Sequence, residues 1–228
     1  MRDMPPDASA EASAAPDEFA RTTDTPCSVH ARQPSRGSRA LLFFVVAVSV
    51  TALDLWSKAA IFEFLSVESV GTPPRVLHPT RYAIIPNWFE LEANYNYGAF
   101  SGWLSSHPEI LTAVSALALF VIVGILVHQL RQPIRPGFFF TLALGLLWGG
   151  TCGNLYDRVK LGAVRDWIKW FYVSADGHPY VWPNFNIADS AICTGVGVFI
   201  LQELLRTRSS RARKPFEQPA EAVTKTPD

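Results

Sequence analysis

Four long apolar blocks follow residue 39, separated by polar or mixed segments. The first runs from Ala40 to Leu53 without a charge and continues through "DLWSKAAIFEFL". The second, Ile110 to Val127, has 18 uncharged residues, and the third, Gly137 to Tyr156, has 20. The fourth runs from about Ile187 to Leu205 and holds two acids, Asp189 and Glu203. A membrane span needs about 20 mostly apolar residues, so the pattern predicts four transmembrane helices. Residues 1–38 are rich in Ala, Pro, Ser, Asp and Thr and poor in large apolar residues, which predicts a disordered tail. The membrane domain is expected over 39–207, with a basic, disordered tail over 208–228.

The segments between the blocks carry their own patterns. "WFELEANY" alternates as a half-buried strand does, within a long loop of about residues 67–109. A small β-element is expected there. In the loop of about 158–186, "AVRDWIKWFYV" mixes Trp167, Trp170, Phe171 and Tyr172 with Arg165, Asp166 and Lys169. Such a mixture suits a segment lying in the membrane interface. The expected fold class is therefore membrane all-α, with four transmembrane helices, a small extracytoplasmic β-element and an interfacial segment.

Charge sets the orientation. Arg32, Arg36 and Arg39 precede the first block, Arg131 and Arg135 fill the short second loop, and Arg206, Arg208, Arg211, Arg213 and Lys214 follow the fourth. In a four-span chain these regions share one side, which the positive-inside rule assigns to the cytoplasm with both termini. The long loops then face outward, although they also carry Arg158, Lys160, Arg165 and Lys169. Lys plus Arg equals Asp plus Glu, 20 each, so net charge offers nothing to a nucleic acid. The three cysteines and five histidines show no zinc spacing, disulfide framework or ligand pair, so a metal site is not expected.

With that topology, the polar residues that look out of place converge on the outer boundary. Asp54 and Lys58 lie in the outer half of the first helix, "GNLYDR" (Gly153 to Arg158) ends the third, and Asn186 and Asp189 open the fourth. Asn94, Asn96 and Asp166 come from the outer loops. Intramembrane ionisable groups are expensive and are usually functional or paired. Each has a plain structural alternative. Asp54 and Lys58 are spaced to pair on one helix face. Asp157 and Arg158 can end a helix at the headgroups, and Gly149, Gly150 and Gly153 allow close helix packing. Asn186 can cap the fourth helix with Asp189 favoured by its dipole. Asp166 can be a solvated charge, and Asp176 in "SADGHPY" reads as a turn acid. Two acids from separate elements in one desolvated site would instead share a proton and work as an acid/base pair.

"DLWSK", "NYGAF", "GGTCGNLYDR", "VRDW" and "FNIADSAI" occur in this order over roughly residues 40–206. This set resembles lipoprotein signal peptidase (signal peptidase II), the membrane aspartyl protease family of bacteria. Phe185 to Asp189 matches the family's FNxAD motif, and "GNLYDR" its GNxxDR motif. The resemblance implies an endopeptidase of the bacterial inner membrane that needs no cofactor. It would cut signal peptides from diacylglyceryl-modified prolipoproteins just before the lipidated cysteine. The catalytic pair it implies is Asp189 and Asp166, with Asp157 as rival for the second place. Asn96, Asn154, Arg158 and Asn186 would support the site or bind substrate, with Asp157 holding the third helix end and Asp54 and Lys58 bracing the first. Expected partners are prolipoprotein substrates and membrane lipid, with a monomer sufficient for the fold.

Three features depart from the family pattern: Phe100 where a small residue is usual, a lengthened Asp166–Asp189 loop containing "SADGHPYVW", and the long N-terminal tail. Two other functions remain open. One is a small transporter or channel with an outer-face acidic site, which would route charges through the membrane. The other is a non-catalytic scaffold, which would tolerate loss of both acids.

Overall fold

The structure, a computed structural model, describes residues 35–78, 80–98, 104–132 and 137–212, with the backbone alone for 209–212. Phe100, residues 1–34 and residues 213–228 lie outside the described residues. Four helices are long and apolar enough to cross a membrane: α1 (Arg36–Phe64), α2 (Pro108–Arg131), α3 (Phe138–Leu161) and α4 (Ile187–Ala212). Helix α1 begins inside the range expected for the tail, where Ser35 caps it by accepting the Ser38 N–H at 3.1 Å. Helix α4 likewise continues past residue 207.

Helix α3 packs against the other three. Phe43, Ala47, Asp54, Lys58 and Phe62 form the buried stripe of α1, while Leu41, Phe44, Val48 and Trp56 point outward. A bundle whose large apolar side chains face away from its core is built for lipid rather than water. Small residues let the backbones meet. Added Cβ atoms at Gly149 and Gly150 would strike the carbonyl oxygens of Ala47 and Ala188. Thr51 closes the α1–α3 contact by donating to Gly149 O at 3.0 Å.

The extramembrane part is a sheet. A two-stranded hairpin, β1 (Ser69–Val70) with β2 (Arg75–Val76), precedes a four-stranded antiparallel array in the order β3–β4–β5–β6. Its strands are β3 (Arg81–Ile85), β4 (Phe89–Asn96), β5 (Val164–Val173) and β6 (Pro179–Val181). The alternating segment is thus a strand, β4, whose Leu91 and Ala93 pack with Phe62 and Leu65 at the end of α1. The segment expected to lie along the interface is also a strand. Residues 164–173 pair with β4, Asn94 opposite Asp166 and Asn96 opposite Val164. The same alternation that suits an interfacial segment serves β5, because a partner strand is at hand.

Helix α3 also outruns its apolar block, ending at Leu161 and not at Tyr156, so Asp157 and Arg158 lie within it. Gly162, in the left-handed region at φ 72°, terminates it and turns the chain directly into β5. "SADGHPY" makes the β5–β6 turn. Asp176 there is exposed and accepts from the Ser174 hydroxyl, a turn acid as its sequence suggests.

Candidate active site

The ends of α1, α3 and α4 and the start of β5 bring their polar residues into one network. Lys58 is fully buried; its ammonium donates to Asp54 Oδ2 at 2.7 Å and Asn154 Oδ1 at 2.9 Å and forms an ion pair with Asp157 Oδ2 at 3.3 Å. Two carboxylates and an amide oxygen thus surround the charge, the kind of compensation that keeps an ammonium away from water. Asp54 uses its other oxygen to accept the Ala188 N–H, 2.9 Å away, in the first turn of α4. Asp157 accepts from Arg165 three ways, from its backbone N–H at 3.0 Å and from Nε and Nη2 of the guanidinium, the last at 2.7 Å. Asp54 thus ties α1 to α4, and Asp157 ties the end of α3 to β5. Neither lines the cavity described below.

Asn186 is the N-cap of α4. Its side-chain oxygen accepts the Asp189 N–H at 2.9 Å, and Asp189 Oδ2 accepts the Asn186 N–H at 3.2 Å. This is a reciprocal capping box with an acid at its third position. The capping role and the site role of Asp189 coexist, because its other oxygen accepts from Asn154 Nδ2 at 2.8 Å. Asn186 Nδ2 donates to Asp166 Oδ1 at 2.7 Å and approaches Asn154 Oδ1 at 3.1 Å. Asn96 Nδ2 holds the second oxygen of Asp166 at 3.0 Å. Two asparagines of the motif segments therefore connect the two carboxylates through a continuous hydrogen-bonded chain.

The backbone explains why they meet. Phe185 and Ile168 exchange N–H···O bonds of 2.8 and 3.1 Å, an isolated bridge that seats Asn186 beside Asp166. The β4–β5 register places Asn96 near the same carboxylate.

Asp166 and Asp189 line one cavity of about 760 Å³ with Asn96, Asn154 and Arg158. Val114 and Ala118 from α2 and Ile192 from α4 supply part of its apolar wall. Trp170, Trp182 and Asn184 complete its outer rim, so the lengthened β5–β6 loop borders the site. Arg158 also reaches the Gly98 carbonyl, at 3.5 Å. Asp166 is 1% exposed, and burial, helped by the nearby charge of Asp189, pushes its carboxyl up to about 8. At neutral pH Asp166 therefore holds a proton.

All nine expected site residues fall in this region, in two groups. Asp166, Asp189, Asn96, Asn154 and Arg158 face the cavity, with Asn186 directly behind the two acids. Asp54, Lys58 and Asp157 form the buried brace beneath. Sequence reasoning missed Arg165 as the partner of Asp157, since a pairing between a helix end and a strand leaves no local spacing. It also missed Asn184 at the rim, which stands two positions before the FNxAD asparagine. Among the described residues no cluster of His, Cys, Asp or Glu is arranged to hold a metal ion.

Comparisons with known proteins show what this chain is similar to. The chain is 35% identical to the lipoprotein signal peptidase of Rhodopirellula baltica over 176 residues, 72% of each chain. It is 31% identical to that of Sulfurihydrogenibium sp. over 168 residues, 73% of this chain and 93% of the relative. A solved bacterial membrane enzyme superposes with a TM-score of 0.57 at 25% identity, covering 80% of this chain and 95% of its own. Residues 46–205, which contain α2 and α3 whole, most of α1 and α4 and every site residue above, match the family model of signal peptidase (SPase) II, and the chain belongs to that family.

Proposed function

We propose that this protein is a membrane aspartic endopeptidase that removes signal peptides from diacylglyceryl-modified prolipoproteins, with Asp166 and Asp189 as its catalytic pair. The observation that carries this reading is their joint placement. Two carboxylates from different elements line one cavity, linked through Asn154 and Asn186, beside an apolar wall suited to acyl chains.

The chemistry follows from the protonation state. Asp189 takes a proton from a water molecule as its oxygen attacks the scissile carbonyl, and protonated Asp166 donates to the carbonyl oxygen. The tetrahedral intermediate is not attached to the enzyme. It collapses as Asp189 passes its proton to the amide nitrogen and the diol returns one to Asp166, so the pair ends as it began. Asn96 and Asn186 orient Asp166, Asn154 orients Asp189, and Arg158 lies where it can hold substrate backbone carbonyls.

The enzyme works from the bacterial inner membrane, with both termini cytoplasmic and the site at the outer face, as a monomer whose cavity is complete within one chain. A transport path fits poorly. The buried charged residues Asp54, Lys58, Asp157 and Asp166 gather at one end, and α2 buries only Ile122 and Leu126.

The test is cleavage by purified protein in detergent of a prolipoprotein with and without its diacylglyceryl group. Cutting of the lipidated form before its cysteine, and not of the unmodified form, is expected. Failure to cut either, with ion flux across protein-loaded vesicles, would replace the protease with the transporter.

A further inference from the structure

The four-stranded sheet is amphipathic. On one face Lys169 pairs with Glu92 at 2.8 Å and Glu90 at 3.4 Å, and Arg81 pairs with Glu92 at 3.0 Å. The other face is apolar and begins on the bundle: Leu91 packs with Phe62 and Leu65, and Tyr82, opposite Leu91, meets the Phe64 ring of α1 edge-on. Asp166 points from this same face toward α4, since it shares strand parity with Ile168 and Trp170. The face continues outward beyond the helices. Trp170 stands opposite Phe89, Tyr172 opposite Tyr180, Trp182 donates its backbone N–H to Trp170 O, and the Trp88 and Tyr172 rings meet at 6.3 Å. These five aromatic side chains, Trp88, Trp170, Tyr172, Tyr180 and Trp182, are 50–62% exposed.

We infer that this overhanging aromatic face is a docking surface for the outer leaflet itself, which holds the rim of the cavity at headgroup level. The near half of the face rests on the end of a membrane-spanning helix, so the far half looks toward the plane in which the bundle is embedded. Trp and Tyr are the residues that settle at a membrane–water boundary, their rings in the apolar zone and their N–H or O–H groups in the wet one. The charges lie on the opposite face, as an interfacial element requires. Trp170 and Trp182 belong to both the face and the cavity rim, so lipid seated on the face is continuous with the site's entrance. Much of this surface comes from the hairpin of the lengthened loop. The inference rests on the outer-face orientation of the proposed function, while its quenching test needs no cleavage.

The full chain in phosphatidylcholine vesicles, brominated at shallow acyl carbons or unbrominated, provides the test, with Trp88→Phe and Trp182→Phe compared to the parent. The fluorescence lost in each variant is expected to be the fraction quenched by brominated lipid and shielded from aqueous acrylamide. A lost fraction open to acrylamide and indifferent to bromine would overturn the inference. Shielding from both that grows with protein concentration would overturn it too, in favour of a second copy. Tyr172→Glu/Tyr180→Glu, which leaves every cavity-lining residue in place, is expected to raise KM several-fold for a vesicle-borne lipidated substrate and leave KM in micelles unchanged. An equal rise in both media would make the face merely structural.

Discussion

In the proposed reaction Asp166 and Asp189 would do different work because their surroundings differ. Asp166 is enclosed, faces another acid and carries its proton at neutral pH, up to about 8. Asp189 sits on a helix N-terminus and accepts from a backbone N–H. Activity should therefore fall as pH rises through about 8, where the shared proton leaves; a kcat/KM profile flat to pH 10 would count against the assignment. Stability carries the same signature. In the unfolded chain Asp166 loses its proton near the ordinary aspartate value of 3.8, and in the folded chain only near 8. Between these values the folded state binds the extra proton, so the contribution of Asp166 is greatest below the lower value and declines as pH rises to the upper. Asp166→Asn should remove that decline. Chemical denaturation at pH 5 and pH 8 should show the variant gaining on the parent toward pH 8. Both acids were legible in the sequence because each lies in a motif. A shared proton follows from placing two acids in one dry site, but which acid holds it was not legible, since burial and a neighbour's charge depend on where the chain returns.

At the scale of elements, the network is as much architecture as chemistry. Lys58 has no water to fall back on, so Lys58→Met leaves Asp54 and Asp157 without their shared cation and should cost about 3–5 kcal/mol, read as a lowered thermal midpoint in detergent. The helix glycines divide similarly, Gly153 on α3 from Gly197 on α4. A Cβ at Gly153 would collide with the Asp54 carboxylate, whereas at Gly197 nothing lies within 4 Å. Gly153→Ala should therefore destabilise and impair cleavage. Gly197→Ala should be neutral or stabilising by up to about 1 kcal/mol, from helix propensity alone. The helices and β4 were readable from periodicity, and so was the Asp54–Lys58 pair from its spacing. Strand β5 was not. "VRDWIKWFYV" alternates as either an interfacial segment or a strand, and what decides is β4, some seventy residues earlier, with Asn96 opposite Val164. The Asp157–Arg165 clamp was hidden for the same reason, because it depends on the Gly162 turn that folds β5 back onto α3.

The whole molecule separates what must stay dry from what must stay fixed. Four helices present apolar surface outward, and the sheet caps one end of the bundle, where every buried charge of the described residues collects. The scissile bond of a lipid-anchored substrate would lie just beyond the apolar layer, which is where the carboxylates are held. The positive-inside rule, applied to the distribution of Arg and Lys, predicts that both termini are cytoplasmic. A phosphatase that is active only outside the cytoplasm should accordingly be silent when fused after residue 212 and active when fused within the β5–β6 turn. The opposite pattern would invert the topology and put the site on the wrong side for exported substrates.

The most direct test of the central claim is cleavage of a diacylglyceryl-modified prolipoprotein by the parent and by Asp166→Asn, Asp189→Asn, Asp157→Asn and Asp176→Asn, each checked for folding. The account predicts that folded Asp166→Asn and Asp189→Asn lose about 10²-fold or more in kcat. Asp157→Asn should lose stability first, and Asp176→Asn should behave as the parent. Full cleavage by a folded Asp166→Asn or Asp189→Asn protein would contradict it.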